Sequence, residues 1–203
     1  MDELIESKLQ KADQAFKSWK NTDFEERQQL LRKAASILKQ KSEEFGKIIT
    51  NEMNKPISQS IAEVEKCASM MEYYADAENI LKPEKIESEY AVSEVHFVPK
   101  GVVLGVMPWN FPFWQVLRFA TPTILAGNTV VLKHASICFE SGNAIEKVFL
   151  EAGFPEGIFQ NLEVSHKAVK AILEHEVVKA VSLTGSEKAG AEMAVLEEVI
   201  AAT

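Results

Sequence analysis

The order of structural signals between Gly101 and Ser136 constrains this chain more than any other feature. Val102-Val103-Leu104-Gly105-Val106-Met107 is a short apolar run, partly β-branched and bounded by Gly and Pro. That is how a strand buried on both faces of a parallel sheet reads. Pro108-Trp109-Asn110-Phe111-Pro112 then interrupts the chain twice, because neither proline has a backbone N–H to donate. An apolar, helix-like segment runs from about Phe113 to Leu125, Ala126-Gly127-Asn128 stops it, and Thr129-Val130-Val131-Leu132-Lys133 is a second buried strand. Strand, turn, helix and strand form a βαβ unit, and ligands of such sheets sit beyond the carboxyl ends of the strands. Trp109-Asn110 and the segment from Lys133 to Ser136 both fall at those ends.

Before this unit the period is helical. Leu4, Ile5, Leu9, Ala12, Phe16 and Trp19 make residues 2–20 one amphipathic helix. Thr22 and Glu25 have capping-box spacing, which predicts a second helix from there to about Met53, ended by Lys55-Pro56. A third is expected from about Ser58 to Leu81, with Ile61, Val64, Cys67, Met70, Met71 and Tyr74 packed inward. Residues 86–98 alternate in polarity and predict a two-stranded hairpin, with His96 facing solvent. After Ser136 the pattern predicts a helix to about Ala152, a strand at 158–162 and a helix capped by Ser165. A strand at 178–183 and a last helix from Glu187 follow. The fold class is therefore α/β, a doubly wound parallel sheet. Four strands in the order 3-2-1-4 would bring Trp109-Asn110 next to Gly185-Ser186. Residues 1–100 would be helices plus an arm packed on a domain of residues 101–203.

Several residues at these ends have usable chemistry. The Asn110 amide, held between two rigid turns, can donate to an oxygen gaining negative charge; an Asn that satisfies turn backbone groups is the ordinary alternative. Gly185-Ser186 opens a helix, where free N–H groups and the helix dipole favour an anion; Thr184 and Glu187 have capping-box spacing, so a plain cap is the alternative. The G-x-G-x-x-G fingerprint and the Gly-Lys-Ser/Thr of a P-loop are both missing. Lys133 ends a buried strand, Ser136 stands where it can cap the next helix, and Arg118 follows Asn110 by about two helical turns. Arg118 can fork onto a carboxylate or make a surface ion pair. The two cysteines, Cys67 and Cys138, read as structural thiols without metal-ligand spacing.

Pro108-Trp109-Asn110-Phe111-Pro112, Leu132-Lys133 and Leu183-Thr184-Gly185-Ser186 stand in an order and spacing that resembles the aldehyde dehydrogenase superfamily. The resemblance runs from Gly101 to about Gly190, more loosely before it, and its details are most similar to bacterial succinate-semialdehyde dehydrogenases. It implies NAD or NADP as cofactor, held by Met107, Pro108, Trp109, Lys133, Ser136, Gly185, Ser186 and Ala189. It implies Asn110 as an oxyanion donor and Arg118 as a ligand of the substrate carboxylate. Many NAD-preferring members carry a glutamate where Ser136 stands, and a serine does not repel a 2′-phosphate. The likeness stops following the family's pattern from about Val195, before its catalytic cysteine and glutamate. The expectation is a truncated, NAD(P)-dependent aldehyde dehydrogenase that does not turn over alone, or a non-catalytic remnant that binds a dinucleotide or pairs with another subunit.

Composition narrows the classes further. With 46% hydrophobic and 26% charged residues, the chain is ordinary globular material, and its net charge of −8 argues against nucleic acid. No apolar stretch suggests a signal or a membrane span, no metal site is expected, and the cysteine usage points to the cytoplasm. An open fourth strand and an unpaired arm predict a homo-oligomer or a partner chain.

Overall fold

The computed structural model describes the backbone of residues 2–78 and 80–200, and side chains up to residue 194. The far end of the chain, including part of the stretch where the family pattern was expected to lapse, lies outside the described residues. Helix α1 (Glu3–Trp19) starts at Asp2, whose carboxylate accepts the Leu4 N–H at 3.0 Å. Helix α2 is Phe24–Gln40, α3 is Ser42–Met53 and α4 is Ile57–Asp76. A short arm follows, with β1 (Glu84–Lys85) antiparallel to β2 (Glu94–Val95). The α/β part comprises β3 (Val102–Met107), α5 (Pro112–Leu125), β4 (Thr129–His134), α6 (Phe139–Glu151), β5 (Phe159–Asn161), α7 (Val169–Leu173), β6 (Val178–Leu183) and α8 (Glu187–Ile200).

The main sheet has the order β5-β4-β3-β6 with every pair parallel, which is the expected 3-2-1-4 doubly wound arrangement. Both of its faces are covered, which is why β3 and β4 read as continuous apolar runs. Met107, Val130 and Leu132 pack with α5, α6 and the α2–α4 layer, whereas Val102, Leu104 and Val131 pack with α1 and α7. The crossover helix α5 lies close on β3: a Cβ at Gly105 would fall 2.5 Å from a Phe119 ring carbon. Only glycine permits that approach. Beyond α5, Gly127 takes φ +91°, the left-handed conformation that glycine adopts most easily at a helix end. The Trp19 indole N–H donates to the Ile124 carbonyl at 3.0 Å and fastens the end of α1 to that of α5.

Several local expectations are corrected. The Thr22–Glu25 capping box does not form; Asp23 is the residue at the cap, and it makes no side-chain cap bond. The Thr22 carbonyl instead accepts from the buried Arg27 guanidinium, which also donates to the Leu125 carbonyl at 2.7 Å. The second helix is two helices, broken at Lys41 (φ −110°, ψ 20°). Backbone bonds from Lys41 N–H to Ile37 and from Phe45 N–H to Lys41 run on through the break, so the apolar period does not betray it. The third helix ends at Asp76, short of Leu81. Each strand of the arm is only two residues long, because Ile86, Tyr90, Val92, Phe97 and Val98 are exposed and have no face to bury. His96 is exposed, as expected, beside Glu94 at 3.2 Å. Neither Ser136 nor Ser165 caps through its hydroxyl.

Candidate functional site

Parallel register sets the site. Val106 lies opposite Lys133 on one side and Leu183 on the other, and Met107 lies opposite His134. Beyond them the Thr184 N–H donates to the Val106 carbonyl at 3.0 Å, and the Ala135 N–H to the Met107 carbonyl at 3.1 Å. Three chain segments therefore leave the sheet at one level: Pro108-Trp109-Asn110, Ala135-Ser136 and Thr184-Gly185-Ser186. This is the carboxyl edge beside the point where strand order reverses, the usual ligand position in open α/β sheets.

The turn after β3 is held from below. Glu63 of α4 is buried, and its Oε1 accepts the N–H groups of Phe113 (2.9 Å) and Trp114 (3.0 Å) at the start of α5. Its other oxygen pairs with the buried Lys55, whose Nζ lies 3.9 Å from the centre of the Phe111 ring. A carboxylate at a helix N-terminus satisfies free donors and meets the positive end of the dipole. His134 pins the same turn: with Nδ1 accepting the Ala135 N–H at 2.8 Å, its Nε2–H donates to the Pro112 carbonyl at 3.0 Å. Burial pushes the His134 pKa down to about 4, so the ring stays neutral at neutral pH. Above this base Trp109 stands 53% exposed. Asn110 is exposed too, and its amide makes no side-chain hydrogen bond among the described residues. The ordinary alternative, an Asn spent on its own turn, is therefore not what this geometry contains.

The other expected residues have distinct settings. Lys133 is only 9% exposed and has no carboxylate partner among the described residues; desolvation lowers its pKa. Ser136 is exposed. Ser186, rather than Thr184, caps α8: its hydroxyl accepts the Ala189 N–H at 3.2 Å, and its carbonyl accepts the Gly190 N–H. Ala189 thus has its N–H occupied, while Gly185 and Ser186 remain exposed. Arg118 lies away from the strand ends, exposed on α5, and donates to Gln115 at 3.0 Å. Cys67 is fully buried, and burial holds its thiol well above its usual pKa. Cys138 is also buried, with burial and then Glu52 and Glu63 pushing its pKa up to about 12. Both thiols sit in the apolar setting that favours the protonated form.

Sequence reasoning missed Glu63, Lys55 and His134, together with Glu52. Glu52 of α3 accepts the N–H groups of Glu140 (2.7 Å) and Ser141 (3.2 Å), and the Ser141 hydroxyl, at the start of α6. Burial raises its pKa, and the bonds from Ser141 work against that rise. One sign was available for Glu63: it lies on the buried stripe of α4, one turn before Cys67. Among the described residues no group of three or more His, Cys, Asp or Glu gathers as a metal site, and no helix is long and apolar enough to cross a membrane.

Sheet order, covered faces and the common carboxyl edge define a Rossmann-like, doubly wound α/β domain. Residues 2–199 match the profile described as "Aldehyde dehydrogenase family", and the chain belongs to that family. A probable succinate-semialdehyde dehydrogenase [NADP(+)] of Synechocystis is 46% identical over 191 residues, 94% of this chain and 42% of that protein. The succinate-semialdehyde dehydrogenase [NADP(+)] of Deinococcus radiodurans is 38% identical, over 95% of this chain and 40% of its own length. The crystal structure of succinic semialdehyde dehydrogenase from Streptococcus pyogenes in complex with NADP+ superposes with a TM-score of 0.93 at 36% identity, over 97% of this chain and 44% of that one. The chain spans about two fifths of the length of the curated relatives it matches.

Proposed function

We propose that this chain is the cofactor-holding part of an NADP-dependent aldehyde dehydrogenase that oxidises a semialdehyde to its acid. The observation that carries the reading is the common level at which Trp109-Asn110, Lys133 to Ser136 and Gly185-Ser186 leave three neighbouring strands. The relatives named above, with NADP in their descriptions, support it. The residues suit a dinucleotide. Among the described residues Lys133 has no carboxylate partner and the Gly185-Ser186 turn accepts no side-chain carboxylate, and Ser136 brings no negative charge against a 2′-phosphate. Lys133 and Ser136 would hold the adenosine ribose; Trp109, Gly185 and Ser186 would hold the pyrophosphate, with Met107, Pro108 and Ala189 forming the adjoining wall. When bound, the cofactor would supply the oxidant that takes the aldehyde hydrogen.

The chain's own contribution to the chemistry is the Asn110 amide. Fixed by the clamp beneath it, the amide would donate to the carbonyl oxygen as that oxygen becomes negative, with no reorganisation needed at that moment. Arg118 would draw the substrate's carboxylate. Cys67 and Cys138 are both unsuited as nucleophiles, so turnover requires a thiol and a base from outside residues 1–203. A second reading, a non-catalytic dinucleotide-binding or subunit-pairing module, is favoured by the exposed apolar side chains of the arm.

The test is calorimetric titration of the 203-residue chain with NADP and NAD. Binding of micromolar order, tighter for NADP, should be lost in Lys133→Ala and retained in Asn110→Ala. A folded sample that binds neither dinucleotide refutes the cofactor assignment.

A further inference from the structure

The end of β4 grips the Asn110 turn from both sides. His134 is fully buried, and both of its ring nitrogens are engaged. Nδ1 takes the N–H of Ala135, within the Lys133 to Ser136 segment, while Nε2–H reaches the Pro112 carbonyl on the far side of Asn110. Just before α6, the Cys138 thiol lies 3.9 Å from the Trp109 carbonyl on the near side. Burial keeps that thiol protonated, with its pKa pushed up to about 12, so the sulfur can serve as a weak donor there. The sheet ladder gives the turn no such hold: β3 ends at Met107, and residues 108–111 lie beyond it. Glu63 holds the start of α5 from α4, whereas His134 holds it from the segment that carries Lys133 and Ser136.

We propose that His134 is a positioning residue that couples the two ends of the site, so that a ligand held by Lys133 and Ser136 stiffens the turn presenting the Asn110 amide. The inference rests on the cofactor reading for what sits at Lys133 and Ser136. An imidazole suits the task because it is a rigid plate: fixing one nitrogen fixes the other. The ring is buried and stands opposite Met107 in the sheet register, so it has no room to turn aside. The neutral tautomer is needed for both bonds, since a protonated Nδ1 would point a hydrogen at the Ala135 N–H. A ligand that orders Ala135 and Ser136 has already fixed the ring, and ordering the Asn110 turn then costs less entropy. The coupling is reciprocal, so a turn held in place also favours the ligand.

The experiment uses the full 203-residue chain and adenosine 2′,5′-bisphosphate, the adenosine end of NADP. This probe carries no nicotinamide, so it has nothing to place against Asn110. Hydrogen exchange is followed at the Phe113 and Trp114 amides, which close the turn by bonding to Glu63. The bound probe should slow their exchange about fivefold, the low end of coupling between sites. In His134→Asn the side chain keeps an acceptor near Ala135 but falls short of Pro112, and the slowing should vanish. In His134→Gln the longer amide reaches that carbonyl, and most of the slowing should return. Glu63→Gln should speed exchange with and without the probe and leave the ratio unchanged, as expected of a prop outside the coupling. Equal slowing in the parent chain and His134→Asn overturns the inference. So does a parent chain that binds the probe without any slowing, a result that needs no variant to fold and leaves the cofactor assignment intact. A folded chain that binds neither the probe nor NADP overturns the cofactor assignment and this inference with it.

Discussion

The N-termini of α5 and α6 are closed by carboxylates from the helical layer, whereas among the described residues α8 is closed by its own serine alone. Glu63 and Glu52 reach across 50 and 88 residues to take the first N–H groups of α5 and α6. At α8 a single hydroxyl, Ser186 Oγ, takes one N–H three residues on, and the turn before it is exposed. All three helices follow strands of the same sheet, so their dipoles present similar positive ends at its carboxyl edge. Two of these ends are neutralised from within the fold. The third keeps its attraction for an anion from outside, and it is the end placed beside Trp109 by the sheet order. An internal carboxylate thus converts a potential binding end into a structural joint.

The largest test of this contrast is to open a closed end. Glu63→Ala should leave the Lys55 ammonium buried without a partner and two N–H groups unsatisfied, a loss of about 3–5 kcal/mol in urea unfolding. Lys55→Met combined with Glu63→Leu should recover part of it. A loss below about 1 kcal/mol would mean that the joint contributes little.

Acid should loosen the same joint through His134. Its pKa in the fold is about 4 against an ordinary 6.5, so the native state binds fewer protons than the unfolded chain between those values. Stability therefore rises with pH across that window. The contribution is complete above about pH 6.5 and lost as pH falls through 4, on the order of 3 kcal/mol. Unfolding midpoints at pH 7 and 4.5 should differ much less in His134→Gln.

The smallest effect belongs to the open end. Ser186→Ala frees one N–H that water can reach, and should cost about 1 kcal/mol or less of stability. Its signature should lie in NADP affinity, whereas Glu52→Gln should change stability and leave NADP affinity alone. The contrast fails if both variants change both quantities.

Strands β3 and β4 were legible to within a residue, because burial on both faces writes a nearly uninterrupted apolar run; β6 was legible too, although only its Val178 is buried. The sheet order followed from connection rules applied to those strands. The carboxyl-edge residues could be read for the same reason: strand ends locate them. The break at Lys41 was not legible, because its hydrogen bonds and apolar period run on through it. The hairpin was overread, since alternation predicts a strand only where one face finds something to bury, and the arm's apolar side chains find nothing among the described residues. Glu63, Glu52 and His134 stayed hidden because each acts on backbone groups of a distant segment. A local pattern does not record a bond between α4 and the start of α5.

Helix α1 has a consequence in time. The first helix of the chain is seated by residues made much later: the Lys8 ammonium donates to the Asn161 carbonyl, the Gln160 amide donates to the Lys8 carbonyl, and His175 pairs with Glu6. At synthesis rates of about 5–20 residues per second, its apolar face waits on the order of 8–30 s for that seat. During translation this amphipathic segment is therefore an orphan with sticky leucines, and its protection falls to whatever meets nascent chains at the ribosome exit.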